Sequence, residues 1–266
     1  MKRLGNLWPQ VIAFDNLYRA WRKARKGKSR STAVVDFELG LEHHLLALQG
    51  ELLNGIYQPG NYRLFTIYER KARVIAAAPF RDRVVHHALM NIIEPLLDRR
   101  FIFDCYACRA GKGTHAAVDR YQHWSRRYRY ALKLDVRQYF PSIDREHLKA
   151  KLRARIKDRS VIELLDRIID AGPNPNGKGI PIGNLTSQFF ANLYLDDFDH
   201  WIKETLRAPA YLRYVDDMVL LSDDKRQLAD WREHIRARLY QERLQLHPNK
   251  AHISPTRCGL NLLGYV

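Results

Sequence analysis

No apolar run in this sequence approaches the ~20 residues that a membrane-spanning helix needs, and the opening MKRLGNLWPQ lacks the long apolar stretch of a secretory signal. A cytoplasmic protein with no membrane partner is therefore expected. Cysteine is scarce: Cys105, Cys108 and Cys258 are the only 3 in 266 residues. An odd count argues against a disulfide scaffold and for a reducing compartment. Cys105 and Cys108 form a CxxC, but a tetrahedral zinc site needs two further ligands at comparable spacing, and only Cys258 and scattered histidines are available. Three free thiols in or near the core are expected. GKGTH at 111–115 lacks the earlier glycine that a phosphate loop requires at fixed spacing, which disfavours a P-loop ATPase. Internal repeats and low-complexity tracts are also missing, and strands and helices alternate without the βαβ regularity of a doubly wound sheet.

Acidic residues are too few to balance the bases: Lys+Arg 45 against Asp+Glu 29 gives a formal net charge of +16. Solubility alone does not call for such a surplus, and the usual polyanion that answers it is a nucleic acid backbone or an anionic membrane surface, the membrane being the weaker reading. At 46% hydrophobic the composition is globular, and the length allows one large domain or two small ones. Residues 7–28 have apolar positions at helical spacing and turn almost purely basic from 22 to 30. That cluster, with Tyr18 and Trp21 beside it, suits a phosphate backbone with stacking neighbours and makes Arg22, Lys23, Arg25 and Lys26 nucleic-acid-binding candidates.

Apolar periodicity predicts helices over 36–53, 80–101, 114–127, 145–156, 184–202 and 223–243, with strands around 62–79 joined by a turn at 69–72. Residues 128–136 read as a strand ending in an acid, 172–179 as a loop, and 211–221 as two short strands interrupted by Asp216-Asp217. Two closing strands follow the last helix. The class is α+β. Carboxylates flanked by core strands are costly unless paired or metal-bound, and no Gly or Asn accompanies Asp216 and Asp217 to make an ordinary polar turn. Asp135, at a second strand end, supplies a distant partner. Carboxylates on adjacent strands make an all-oxygen site for Mg²⁺, and two such ions support in-line displacement at phosphorus. With the basic surplus, nucleotidyl transfer is indicated.

The ordered set KLDVRQYFPSID (133–144), GIPIGNLTSQFFANLYL (179–195), YVDD (214–217), LHPNK (246–250) and LLGY (262–265) resembles the successive palm motifs of reverse transcriptases. It is similar to the bacterial group II-intron-like branch, and IGNLTSQ is most similar to the enzymes of diversity-generating retroelements. The resemblance covers about 62–266. It implies a right-hand polymerase with an antiparallel palm sheet backed by helices: a basic helical N-terminal extension over 1–58, fingers over 59–85 and 143–185, and palm over 86–142 and 186–266. It makes Asp135 and Asp216 the principal metal ligands, with the Val136 carbonyl and Asp217 assisting, for two Mg²⁺ ions with Mn²⁺ as a substitute. Phe140 matches the aromatic gate against a ribose hydroxyl, which implies dNTP substrates. Lys71 and Arg73 match the residues that grip the triphosphate, Ile182 and Gln188 lie in the nucleotide-binding segment, and Lys250 matches the lysine that protonates leaving pyrophosphate. Arg81, Arg83, Arg109 and Lys112 are implied contacts to nucleic acid. His86 and His87 carry no partner pattern.

Two departures matter. Group II intron and retroviral relatives have Pro-Gln-Gly where this chain has Pro181-Ile182-Gly183, a change shared by diversity-generating retroelements that copy inaccurately, so reduced fidelity is expected. The sequence also stops inside the hairpin used as a primer grip, before a helical thumb. A fragment of a longer frame or a partner-supplied grip is expected, with weak or unprocessive synthesis by this polypeptide alone. The implied partners are template RNA, nascent cDNA, dNTPs and a small basic accessory protein. The competing class is a non-catalytic, maturase-like RNA-binding scaffold, a third is RNA-templated RNA synthesis, and within the family the alternatives are a reverse transcriptase of a group II intron, a phage-defence locus or a CRISPR locus.

Overall fold

The computed structural model describes residues 3–68, 72–174 and 176–265. In chain order the elements begin with α1 (Trp8–Ile12), α2 (Phe14–Arg25), α3 (Thr32–Leu39), α4 (Leu41–Leu53), β1 (Arg63–Tyr68), β2 (Ala72–Ala77) and α5 (Phe80–Asp98). Then come α6 (Thr114–Ser125), β3 (Tyr130–Asp135), α7 (Tyr139–Ser142), α8 (Arg145–Arg155), α9 (Arg159–Asp170) and α10 (Leu185–Tyr194). The chain ends with α11 (Asp196–Glu204), β4 (Ala210–Tyr214), β5 (Asp217–Ser222), α12 (Lys225–Gln241) and β6 (His252–Pro255). Two compact units divide it: Met1–Arg99 with Asp144–Phe190, and Arg100–Ile143 with Ala191–Val266. The α+β class stands. Among the described residues no helix is long and apolar enough to cross a membrane.

In the first unit, α2 buries Leu17, Ala20, Trp21 and Ala24 against α5, which buries Val84, Val85, Ala88 and Leu89. The single helix expected over 7–28 is two. At Ala13 the backbone turns extended (ψ 134°), and the buried Asn16 amide donates to the Val11 and Ala88 carbonyls at 2.8 and 2.9 Å, taking the place of a continuing helical bond. The helix expected over 36–53 is also two, separated at Gly40. The amphipathic α9 went unforeseen, although Asp158 caps it and Val161, Leu164, Leu165, Ile168 and Ile169 line one buried face. Asp158 also accepts from the Leu7 and Trp8 amides at 2.8 and 3.0 Å, so one carboxylate holds two helix starts. β1 and β2 pair antiparallel from Arg63 opposite Ala77 to Tyr68 opposite Ala72.

The second unit is built on an antiparallel sheet in the order β4-β5-β3-β6. Alternation along β3 sends Leu132 and Leu134 to one face and Ala131, Lys133 and Asp135 to the other. α12 packs on β3, β5 and β6. On the opposite side Ala131, Leu212, Val219 and Leu221 join Tyr106, Ala117, Tyr121 and Trp124 in a buried cluster. The helix expected over 184–202 breaks at Leu195 (φ −97°, ψ 6°) into α10 and α11. Of the two closing strands only β6 forms among the described residues. Residues 262–265 instead make a tight turn, Leu262 bridging Tyr265, with Leu263 and Gly264 at φ 55° and 93°. The thiols are likewise corrected: Cys105 is buried, but Cys108 and Cys258 are exposed, on loop and 3₁₀ backbone that offers them no core.

Candidate active site

Register brings the acids together. Across the antiparallel pair β3 and β5, Asp135 lies opposite Asp217 and Lys133 opposite Val219, so both carboxylates project from the same face. Tyr214 also pairs with Asp217, which leaves Val215 and Asp216 to turn the chain from β4 into β5. The Val136 amide donates to the Asp216 carbonyl at 3.3 Å, fastening this turn to the end of β3. Residues 245–250 are tied to the same strand end. The Arg137 amide donates to the Gln245 carbonyl and the His247 amide to the Asp135 carbonyl, each at 2.8 Å. That delivers the Lys250 ammonium to 2.5 Å from Asp135 Oδ2.

Crowding shows in the acidities. Burial, reinforced by Asp217 and Asp135, pushes the Asp216 carboxyl up to about 6. Burial raises Asp217 as well, opposed by Lys133, whose ammonium is 3.6 Å from Asp217 Oδ1. Among the described residues no group of three or more His, Cys, Asp and Glu side chains stands as a finished metal cage. Asp135 and Asp217 face lysines instead. The donor chemistry nevertheless fits a hard cation, since the three acids offer only oxygen and their mutual repulsion is relieved by a divalent ion.

Phe140, on α7, is half-buried beside Tyr139, with ring centroids 5.9 Å apart. Tyr139 is the anchored member of the pair, its hydroxyl donating to the Ala191 carbonyl at 2.5 Å. Arg109 and Lys112, expected on nucleic acid, are engaged by their own loop. Arg109 Nη1 donates to the Ile102 and Cys105 carbonyls at 2.8 and 2.9 Å, and Lys112 Nζ donates to the Phe103 carbonyl at 2.9 Å while lying 3.3 Å from that ring's centre. A loop without regular structure must satisfy its carbonyls somehow, and these cations do so.

In the first unit, Arg73 is exposed on β2, while Lys71 lies outside the described residues. The Ile182 carbonyl accepts from the Ala76 amide at 3.0 Å, so the Pro-Ile-Gly segment is laid against β2. Gly183 is needed there: its φ is +105°, and a Cβ would meet Ile75 Cγ2 at 2.7 Å. Beside it opens a cavity of about 730 Å³ in which Arg83 and Gln188, both foreseen, meet Lys28, Arg63, His86 and Asn184, which were not. The Asn184 Nδ2 atom is buried there without a protein hydrogen-bond partner. Burial lowers Arg83 and Lys28 and holds His86 and His87 down at about 3 and 4, so both imidazoles are neutral. Only the clustered bases gave a sequence signal for this cavity. Of the other predicted cations, Arg81 pairs with Glu51 and stacks on Tyr57, and Arg25 pairs with Glu38 at 2.7 Å over Trp21. Lys23 donates to Asn91 Oδ1 at 2.6 Å, while Arg22 and Lys26 are exposed.

Comparison with known proteins adds a family to this geometry. The family model for "Reverse transcriptase (RNA-dependent DNA polymerase)" matches residues 63–266. Protein YkfC of Escherichia coli K12 is 27% identical over 99% of this chain and 83% of its own length. The group II intron-encoded protein LtrA of Lactococcus lactis subsp. cremoris is 24% identical over 72% of this chain, which spans only 33% of LtrA. Among solved structures, apo telomerase from Candida tropicalis is similar at a TM-score of 0.58 and 13% identity, over 76% of this chain and 45% of that one. A partial Cas6-RT-Cas1–Cas2 complex is similar at 0.53 and 21% identity, over 88% and 42%. Both share the fold.

Proposed function

Because the chain belongs to the reverse transcriptase (RNA-dependent DNA polymerase) family, we propose that it extends a primer 3′ end with dNTPs on an RNA template. The observation that carries this reading is the meeting of Asp135, Asp216 and Asp217 at one sheet end, inside the matched segment. Asp135 and Asp216, with the Val136 carbonyl and Asp217, would hold two Mg²⁺ ions, which when bound would supply charge neutralisation at phosphate and activation of the primer hydroxyl. The 3′ hydroxyl gives up its proton to water as its oxygen bonds to the α-phosphorus and the bond to pyrophosphate breaks. Lys250 gives the leaving pyrophosphate its proton. Phe140 excludes a ribose 2′-hydroxyl, and Lys71, Arg73, Ile182 and Gln188 bind the incoming nucleotide.

Ile182 supports a low-fidelity enzyme of the diversity-generating kind, since an aliphatic side chain cannot hydrogen-bond near the nascent pair. Arg22, Lys23, Arg25, Lys26, Arg81, Arg83, Arg109 and Lys112 serve the nucleic acid, with a small basic accessory protein as further partner. Asp216→Asn tests the reading: dNTP incorporation on a primed RNA is lost while RNA binding is kept. A parent chain that binds RNA but incorporates nothing with Mg²⁺ or Mn²⁺ would mark it as a scaffold.

A further inference from the structure

Directly behind the acidic turn lies a charged side chain with no contact to solvent. Arg213, on β4, is 0% exposed, and its register partner Met218 places it on the sheet face away from the carboxylates. A guanidinium there has lost its hydration and must be repaid by protein groups. Asp199 of α11, also 0% exposed, accepts from Arg213 Nε at 2.8 and 2.9 Å and from Nη2 at 2.6 Å. Tyr211 adds a hydroxyl at 2.6 Å to the same carboxylate. Asn192 takes a third edge, its side-chain oxygen 3.3 Å from Nη1 and its carbonyl 3.2 Å from Nη2. Asn192 is itself fixed, donating to the Ala107 carbonyl at 2.7 Å.

The remaining contact points forward. Arg213 Nη1 donates to the Val215 carbonyl at 3.0 Å, the peptide that leads into Asp216. Val215 has φ +56°, a left-handed conformation that a β-branched residue rarely adopts and that must be held by its surroundings. Nothing in the sequence of the turn favours it: a Gly or Asn would reach that backbone without strain.

We propose that Arg213, oriented by Asp199 and Tyr211, is a positioning residue that pins Val215 in its left-handed state and thereby aims Asp216. The inference rests on the polymerase reading for its catalytic consequence, but the clamp itself is testable without turnover. Lysine at 213 keeps the charge facing Asp199 yet lacks the planar fork that reaches Asn192 and Val215 at once. In metal-free protein, Arg213→Lys should speed backbone hydrogen exchange in the peptide spanning 212–218. In primer extension it should lower kcat by about 10- to 100-fold, with the dNTP KM changed less than about twofold. Adding Val215→Asn, which takes the left-handed backbone cheaply, should recover at least about tenfold of that kcat.

Unchanged exchange and unchanged kcat in folded Arg213→Lys would overturn the proposal. So would a parallel loss of kcat, KM and melting temperature that Val215→Asn does not recover, because that pattern marks a merely structural pair. If Arg213→Lys does not accumulate as folded protein, Tyr211→Phe removes one donor from Asp199 and should give faster exchange and a kcat about 3- to 10-fold lower. No change in either would count equally against the clamp. Should the parent prove inactive as a polymerase, the exchange measurement still decides whether Arg213 holds the turn.

Discussion

Replacing Lys250 with methionine separates two roles that one ammonium plays. The group sits 2.5 Å from Asp135 Oδ2, with 41% of the lysine side chain and 13% of the aspartate side chain exposed. A pair this open to solvent is screened and contributes ~0.5–1 kcal/mol rather than the larger sum that bare Coulomb attraction suggests. A divalent ion that takes Asp135 has to displace the ammonium, so its loss should tighten metal binding by about 2- to 5-fold in Kd. Turnover should move the other way, falling about 100-fold or more if Lys250 delivers the proton to pyrophosphate. The assay pairs a Mn²⁺ titration of metal-free chain, without primer or nucleotide, with single-turnover incorporation. Weakened or unchanged Mn²⁺ binding in Lys250→Met would refute the competition. Tighter binding with full turnover would remove the proton-delivery role and leave the ion pair standing.

Asp216 also makes stability depend on pH. Its carboxyl is raised to about 6 in the folded chain against an ordinary value of 3.8, so between those values the native state holds the extra proton and stability falls as pH rises through that window. Metal-free Asp216→Asn should therefore melt above the parent at pH 7, and the gap should close as pH drops toward 4; a gap independent of pH would contradict the crowding. Phe140→Ala should raise the rNTP to dNTP ratio of kcat/KM by about 10-fold or more, and a constant ratio in competition assays would remove the gate role. Gly183→Ala forces a Cβ to within 2.7 Å of Ile75 at φ +105°; it should cost ~1–3 kcal/mol, read as a lowered denaturant midpoint. Sequencing products copied from a defined RNA should show errors concentrated at template adenines and reduced by Ile182→Gln, whereas a spectrum flat across the four bases would dismiss the fidelity argument.

The carboxylates were legible because they violate a local rule. Two acids between β-prone apolar residues, and a third ending an apolar strand, violate the usual pattern, and the sheet register sets Asp135 opposite Asp217 with Asp216 in the adjoining turn. Helix continuity was less legible. Gly40 and Leu195 interrupt apolar patterns whose period runs on across the break, since what ends each helix is backbone geometry and not a change of hydrophobicity. The loop bonds of Arg109 and Lys112 were not legible either: a basic loop reads as a phosphate contact, and nothing in its sequence announces that these cations also donate to its own carbonyls. Arg213 carries a signal of the same kind as the acids, a charged residue at an inward position of the strand YLRYV.

The two compact units are interleaved along the chain: the segment Asp144–Phe190 of one unit is synthesised between the β3 and β4 strands of the other. A ribosome releases Asp135 well before Asp216, and Lys250 later still. Severing the chain in the 172–179 loop would leave two pieces, neither of which encodes a whole unit. Any activity that such halves regain should therefore come from co-folding of both pieces, each completing a unit that the other begins.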